Sequence, residues 1–64
     1  MIRYYYVNVD LKNGADVPEK IFRYERDARI YFDSLELSAN GIVYKSLNAS
    51  TDSDGDIILD RSEA

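Results

Sequence analysis

RYERDARIYFDSLELSAN, residues 23–40, is the stretch whose reading decides the fold. Ala28, Tyr31, Phe32, Leu35 and Ala39 recur at helical spacings, which gathers them on one face of an α-helix. Glu25, Arg26, Asp27, Arg29, Asp33, Glu36 and Ser38 fall between them and make the other face charged. Glu25 and Asp27 suit the positive end of the helix dipole, whereas Asp33 and Glu36 oppose it near the other end. Asn40-Gly41 supplies the stop, since both residues adopt the left-handed conformation that closes a helix. Neither Tyr24 nor Glu25 is a strong N-cap. The spacing predicts a helix over about 24–40.

Upstream, Ile2 to Leu11 is rich in Tyr and Val and lacks Gly and Pro, so it reads as a strand. Tyr5, Val7, Val9 and Leu11 form the more aliphatic face, assigned to the helix-covered core. Ile2, Tyr4, Tyr6, Asn8 and Asp10 form the other face. Being apolar on both sides suits a central strand. Asn13-Gly14 marks a hairpin turn. Residues 17–23 read as the returning strand, with Pro18 near its start suggesting a sheet edge. Ile21 or Phe22 faces the core, and parity leaves open which.

Downstream, Ile42-Tyr44-Ser46 alternates with Val43-Lys45-Leu47, a third strand over 42–47. Residues 48–56 are polar and turn-prone, with Asp54-Gly55 as a hairpin turn. Ile57-Ile58-Leu59 centres a fourth strand over 56–60, and residues 61–64 read as a frayed tail. The expected fold is α+β: a two-layer ββαββ domain, a four-stranded antiparallel sheet with one helix packed on one face.

A chain of 64 residues is a single domain. At this length only about 60% of the unfolded surface is buried, so stability is marginal without added support. The chain has no Cys, hence no disulfide and no thiolate metal site. Tight aromatic packing or self-association is then the route to stability.

Several chemistries are disfavoured by residue type. The absence of His removes the commonest general base and the commonest transition-metal ligand. The three glycines are isolated in turns, so no phosphate-binding loop is present. So short a chain also offers little concavity for a pocket. A non-catalytic protein with no cofactor and no metal is expected. Residues 52–57, Asp52-Ser53-Asp54-Gly55-Asp56-Ile57, resemble part of a calcium loop. With Gly55 at the loop's sixth position, Ser50 stands first and Arg61 twelfth, where the pattern needs Asp and Glu. A hairpin turn with solvated acids is the preferred reading.

The net charge of −4 argues against direct nucleic-acid binding and against an anionic membrane surface. Arg3, Lys12, Lys20, Arg23 and Lys45 are too scattered to make a basic patch. No apolar run approaches a membrane span, and the Met1-Ile2-Arg3-Tyr4 start lacks a signal-peptide core. A cytoplasmic setting is expected.

One helix covers one face of the sheet. The other face is expected to expose Tyr4, Tyr6 and Tyr44 beside Ile2 and Ile42. Tyr buries apolar area while its hydroxyl stays wet, which suits an interface; the competing reading is a solvated face on which Tyr is a good strand former. The interface reading predicts a homodimer formed through the sheet, or binding to another protein. A separate acidic surface, Glu25, Asp27, Asp33 and Glu36 along the helix with Asp52, Asp54 and Asp56 at a turn, would suit mimicry of nucleic acid at a basic groove.

The Tyr-rich strand, the Asn-Gly turn, the passage Lys20-Ile21-Phe22-Arg23-Tyr24-Glu25-Arg26-Asp27-Ala28 into a helix, and two further strands resemble the small acidic proteins encoded by bacteriophages and prophages. The size and acidity are similar to those of phage inhibitors of host proteins, anti-defence proteins included. What the resemblance implies is inhibition by binding a host protein; an assembly role in a phage particle is the alternative. No functional residue is transferred from it.

Overall fold

The computed structural model describes every residue except Asp54. Four strands, β1 (Ile2–Leu11), β2 (Lys20–Phe22), β3 (Ile42–Thr51) and β4 (Asp56–Glu63), form one antiparallel sheet in the order β2-β1-β3-β4. The helix α1 (Glu25–Ser34) lies across one face, and a short 3₁₀ turn, Ala39–Gly41, leads into β3. The architecture is α+β with ββαββ order, as the residue pattern predicts. β1 and β3 are the two central strands, which accounts for β1 being apolar on both sides.

Alternation along β1 places Tyr5, Val7 and Val9 under α1. Val7, Leu47, Ala28 and Phe32 form the buried centre, with Tyr5, Val9, Phe22, Tyr31, Leu35 and Leu59 packed around them. Phe22 is the inward residue of β2: its ring lies 5.5 Å from that of Tyr31. Ile21 therefore faces outward and is 59% exposed.

The helix is shorter than the expected 24–40. It ends at Ser34 because Leu35 turns to an extended backbone, φ −84 and ψ 116. Two groups take the last carbonyls. The Ser34 hydroxyl donates to the Tyr31 carbonyl at 2.6 Å, and the Lys45 ammonium donates to those of Phe32 and Leu35, each at 2.7 Å. The helix has no basic residue in its own last turn, so β3 delivers the cation that its negative end favours. Asn40 and Gly41 are left-handed, at φ 53 and 77, but they close the 3₁₀ turn rather than α1. The Gly41 carbonyl accepts from the Lys12 N–H at 2.8 Å, tying this turn to the end of β1.

Three further boundaries differ from expectation. β2 has three residues instead of the predicted 17–23; Pro18 brings no N–H to a ladder, and the chain ahead of Lys20 runs as an exposed loop. β3 continues through Asn48, Ala49, Ser50 and Thr51, which composition alone marks as a turn. The expected frayed tail, 61–64, is paired: Arg61, Ser62 and Glu63 lie opposite Ser46, Lys45 and Tyr44, and the Ala64 N–H donates to the Val43 carbonyl at 2.9 Å. A bulge makes this possible. Leu47 pairs with Asp60 but Asn48 pairs with Ile58, so Leu59 is an extra residue and packs against the core.

The two edges are unequal. β2 covers β1 only from Tyr5 to Val7, while β4 presents an outer edge eight residues long.

Candidate interaction face

On the face away from α1, cross-strand register sets side chains in rows. Tyr6 stands between Ile21 on β2 and Asn48 on β3, with Ile58 of β4 beyond. On one side of that row lies Tyr4–Ser50–Asp56. On the other lie Asn8–Ser46–Arg61 and then Asp10–Tyr44–Glu63. Tyr4, Tyr6 and Tyr44 thus share this face, as alternation predicts. Ile42 adds nothing to it: the residue is only 6% exposed and sits opposite Leu11, where a register shift interrupts the alternation.

Tyr6 is the centre of the face. Its ring packs against Tyr4 at 6.1 Å, tilted by 49°, and its hydroxyl donates to the Asp56 carboxylate. Burial, then the Asp56 hydrogen bond and negative charge, push the phenol from 10.0 up to about 12. A phenol held neutral this way is no general base near neutral pH.

Around this buried ring, large apolar side chains stand in solvent. Ile21 is 59% exposed and Ile58 57%; Ile2, expected beside Tyr4, stands opposite Thr51 across a register shift and so leaves the alternation that carries Tyr4 and Tyr6. Ile21 and Ile58 were not predicted for this face. The first was legible only as one of an undecided pair with Phe22; the second needs the Leu59 bulge, which no residue pattern announces.

Between them the floor is polar. Ser46, Asn48 and Ser50 on β3 are all buried, sheltered by longer neighbours. The Asn48 side-chain amide donates to Ser46 Oγ at 2.9 Å and to the Tyr6 carbonyl at 3.4 Å. The loop joining β1 to β2 contributes Gly14 to Val17 as one wall of a concavity of about 470 Å³, whose floor includes Asn48 and Ser46. Gly14, at φ 77, donates to the Leu11 carbonyl at 3.0 Å, and Asn13 Oδ1 accepts from the Ala15 N–H at 2.9 Å. These bonds fix the start of that wall.

The predicted acidic surface is not gathered into one bare field. Glu25 meets Arg29 at 3.2 Å, Asp27 meets Arg26 at 3.5 Å, and Asp52 meets Arg3 at 3.7 Å. Asp56 is engaged by Tyr6. Asp33 and Glu36 form no ion pair among the described residues, but they lie toward the end of the sheet where Lys45 meets the helix. Glu25 and Asp27 begin the helix at the opposite end. Asp54 lies outside the described residues, and with it part of the calcium-like segment. Among the described residues no group of three acidic side chains could hold a metal ion, and no helix is long and apolar enough to cross a membrane.

Compared with known proteins, the chain matches no family model, no curated protein and no solved structure.

Proposed function

We propose that this chain is a small non-catalytic interaction module that binds another protein through its open sheet face, in the manner of a phage-type modulator acting in the cytoplasm of a host. One observation carries the reading: Ile21 and Ile58 stand exposed around the buried Tyr6 on a face that α1 does not cover. Exposed apolar side chains rimmed by polar ones suit a protein interface. Tyr6 and Tyr4 add the amphipathic area that interfaces favour. The non-catalytic part rests on residue types: the chain has no His and no Cys, and the Tyr6 phenol is held protonated.

The acidic-mimic reading has less support, because Glu25, Asp27 and Asp52 each face a guanidinium. Mimicry needs carboxylates free to meet a basic groove.

The test is the chain with Ile21→Asp and Ile58→Asp, both exposed positions that leave the core intact. Sedimentation equilibrium and affinity capture from bacterial lysate, at low and high salt, are compared with the unaltered chain. The expected result is loss of self-association or of the captured protein, with the far-ultraviolet circular dichroism retained. Unchanged mass and unchanged capture overturn the reading. Capture that persists in the variant but disappears in salt points instead to the acidic surface.

A further inference from the structure

We infer that the concavity beside Tyr44 receives the guanidinium of an arginine side chain presented by the partner protein; the inference rests on the open-face reading and names what that face recognises. Three observations converge on this chemistry. The first is charge. Asp10 and Asp16 line the concavity and no Lys or Arg does, although the exposed Lys12 and Arg61 lie nearby in sequence and register. Neither aspartate forms an ion pair among the described residues, so their carboxylates remain available.

The second is an open acceptor in the floor: no buried polar side-chain atom lacks a partner among the described residues, so an unpaired oxygen there is one that solvent reaches. Asn48 is 4% exposed and lines the concavity. It spends its amide N–H groups on Ser46 and on the Tyr6 carbonyl, leaving its own side-chain oxygen without a donor among the described residues. The bond to the Tyr6 carbonyl fixes which atom is nitrogen, since two oxygens would not pair there.

The third is an aromatic wall. Tyr44 is half-buried, lines the same concavity and lies directly opposite Asp10 across the β1–β3 ladder. Its ring is used by no other ring or cation among the described residues.

A carboxylate, an unpaired amide oxygen and an aromatic face together are the set a guanidinium satisfies. Its planar fork meets a carboxylate with two N–H groups, its remaining donors reach a further acceptor, and its face stacks on a ring. An ammonium has no planar face to lay on Tyr44. The volume, about 470 Å³, is in the range of ligand pockets. A partner's backbone would pass outside, over Ile58, which both lines the concavity and belongs to the exposed apolar face. That continuity is why the source assigned is an arginine within a protein rather than a free small cation.

The test is a two-dimensional amide NMR titration of the full ¹⁵N-labelled chain with N-acetyl-arginine methylamide. The matching citrulline compound, a neutral isostere, is the control. The arginine probe is expected to shift the signals of Asp10, Asp16, Ser46 and the Asn48 side-chain amide saturably, while the citrulline probe leaves them in place. Asp10→Asn with Asp16→Asn, both at exposed positions, should weaken the arginine probe about tenfold or more. The Ile21→Asp chain should keep the probe response, since Ile21 lies outside the concavity. No saturable shift, an equal response to citrulline, or shifts centred on Asp33 and Glu36 would each overturn the assignment. A failed titration leaves the open-face reading standing on Ile21 and Ile58; unchanged association in the Ile21→Asp, Ile58→Asp chain overturns that reading separately.

Discussion

At Tyr6, one hydroxyl ties β1 to β4 across the intervening β3. Tyr6→Phe is expected to cost about 1 kcal/mol at neutral pH, the net worth of one hydrogen bond whose partner returns to water. The same substitution changes the alkaline limb. Below pH 10.0 the hydroxyl is protonated in folded and unfolded chains alike; between 10.0 and about 12 the unfolded chain ionises first while the folded chain holds its proton. Stability therefore falls through that window, and Tyr6→Phe should remove this share of the fall. Urea unfolding of both chains at neutral pH and across the window measures it. Lys45 is the second decisive residue. It is 8% exposed, bonds the carbonyls of Phe32 and Leu35 where the helix ends and lies 4.2 Å from the Phe32 ring centre. Lys45→Met keeps the stem and removes the cation, and should cost about 2 kcal/mol by urea unfolding. Alternation did place Lys45 on the same side as Leu47; its task at the end of α1 was not legible, because it depends on contact between residues distant in sequence.

Among the elements, strong periodicity and boundaries behaved differently. β1 matches its predicted 2–11 because seven of its ten residues are Ile, Tyr, Val or Leu and no Gly or Pro interrupts them. The apolar face of α1 is also where spacing puts it, on Ala28, Tyr31 and Phe32, with Leu35 packing just past the helix end. Its end was misread because Asn40-Gly41 is a sound left-handed signal attached to a different turn. Asn48 to Thr51 looked like loop because Asn, Ser and Thr usually satisfy their own backbone in turns. Here the long neighbours on the open face shelter Asn48 and Ser50 instead. The closing stretch gives a direct test. Deleting residues 61–64 removes the ladder partners of Tyr44 to Ser46, and should lower stability by on the order of 2 kcal/mol. Amide hydrogen exchange should show the Ala64 N–H protected in the intact chain. A truncated chain as stable as the intact one would return these residues to the status of a loose tail.

Across the whole molecule, the sheet and its single helix leave a thin interior: the buried cluster has four members, Val7, Ala28, Phe32 and Leu47. Ile42 and Ala49 are buried outside that cluster, and many of the other apolar side chains are only partly covered or stand exposed. The fold class was legible because each side of the sheet and the helix carries its own period. The concavity was not, since it forms where the loop after Gly14 folds beside β3, and no local pattern encodes that approach. Ile21 and Ile58 were likewise out of reach, each needing a register that only the assembled sheet supplies.

The unequal sheet edges carry one more consequence. A strand added alongside β4 gains up to eight residues of ladder, whereas one added at β2 gains three. If two copies met through β4 about a two-fold axis, each would use up the long edge of the other and leave outward the short β2 with the parts of β1 that it does not cover. Sheet extension through β4 would in that case stop at a pair, because the edges then left outward offer a much shorter continuous ladder.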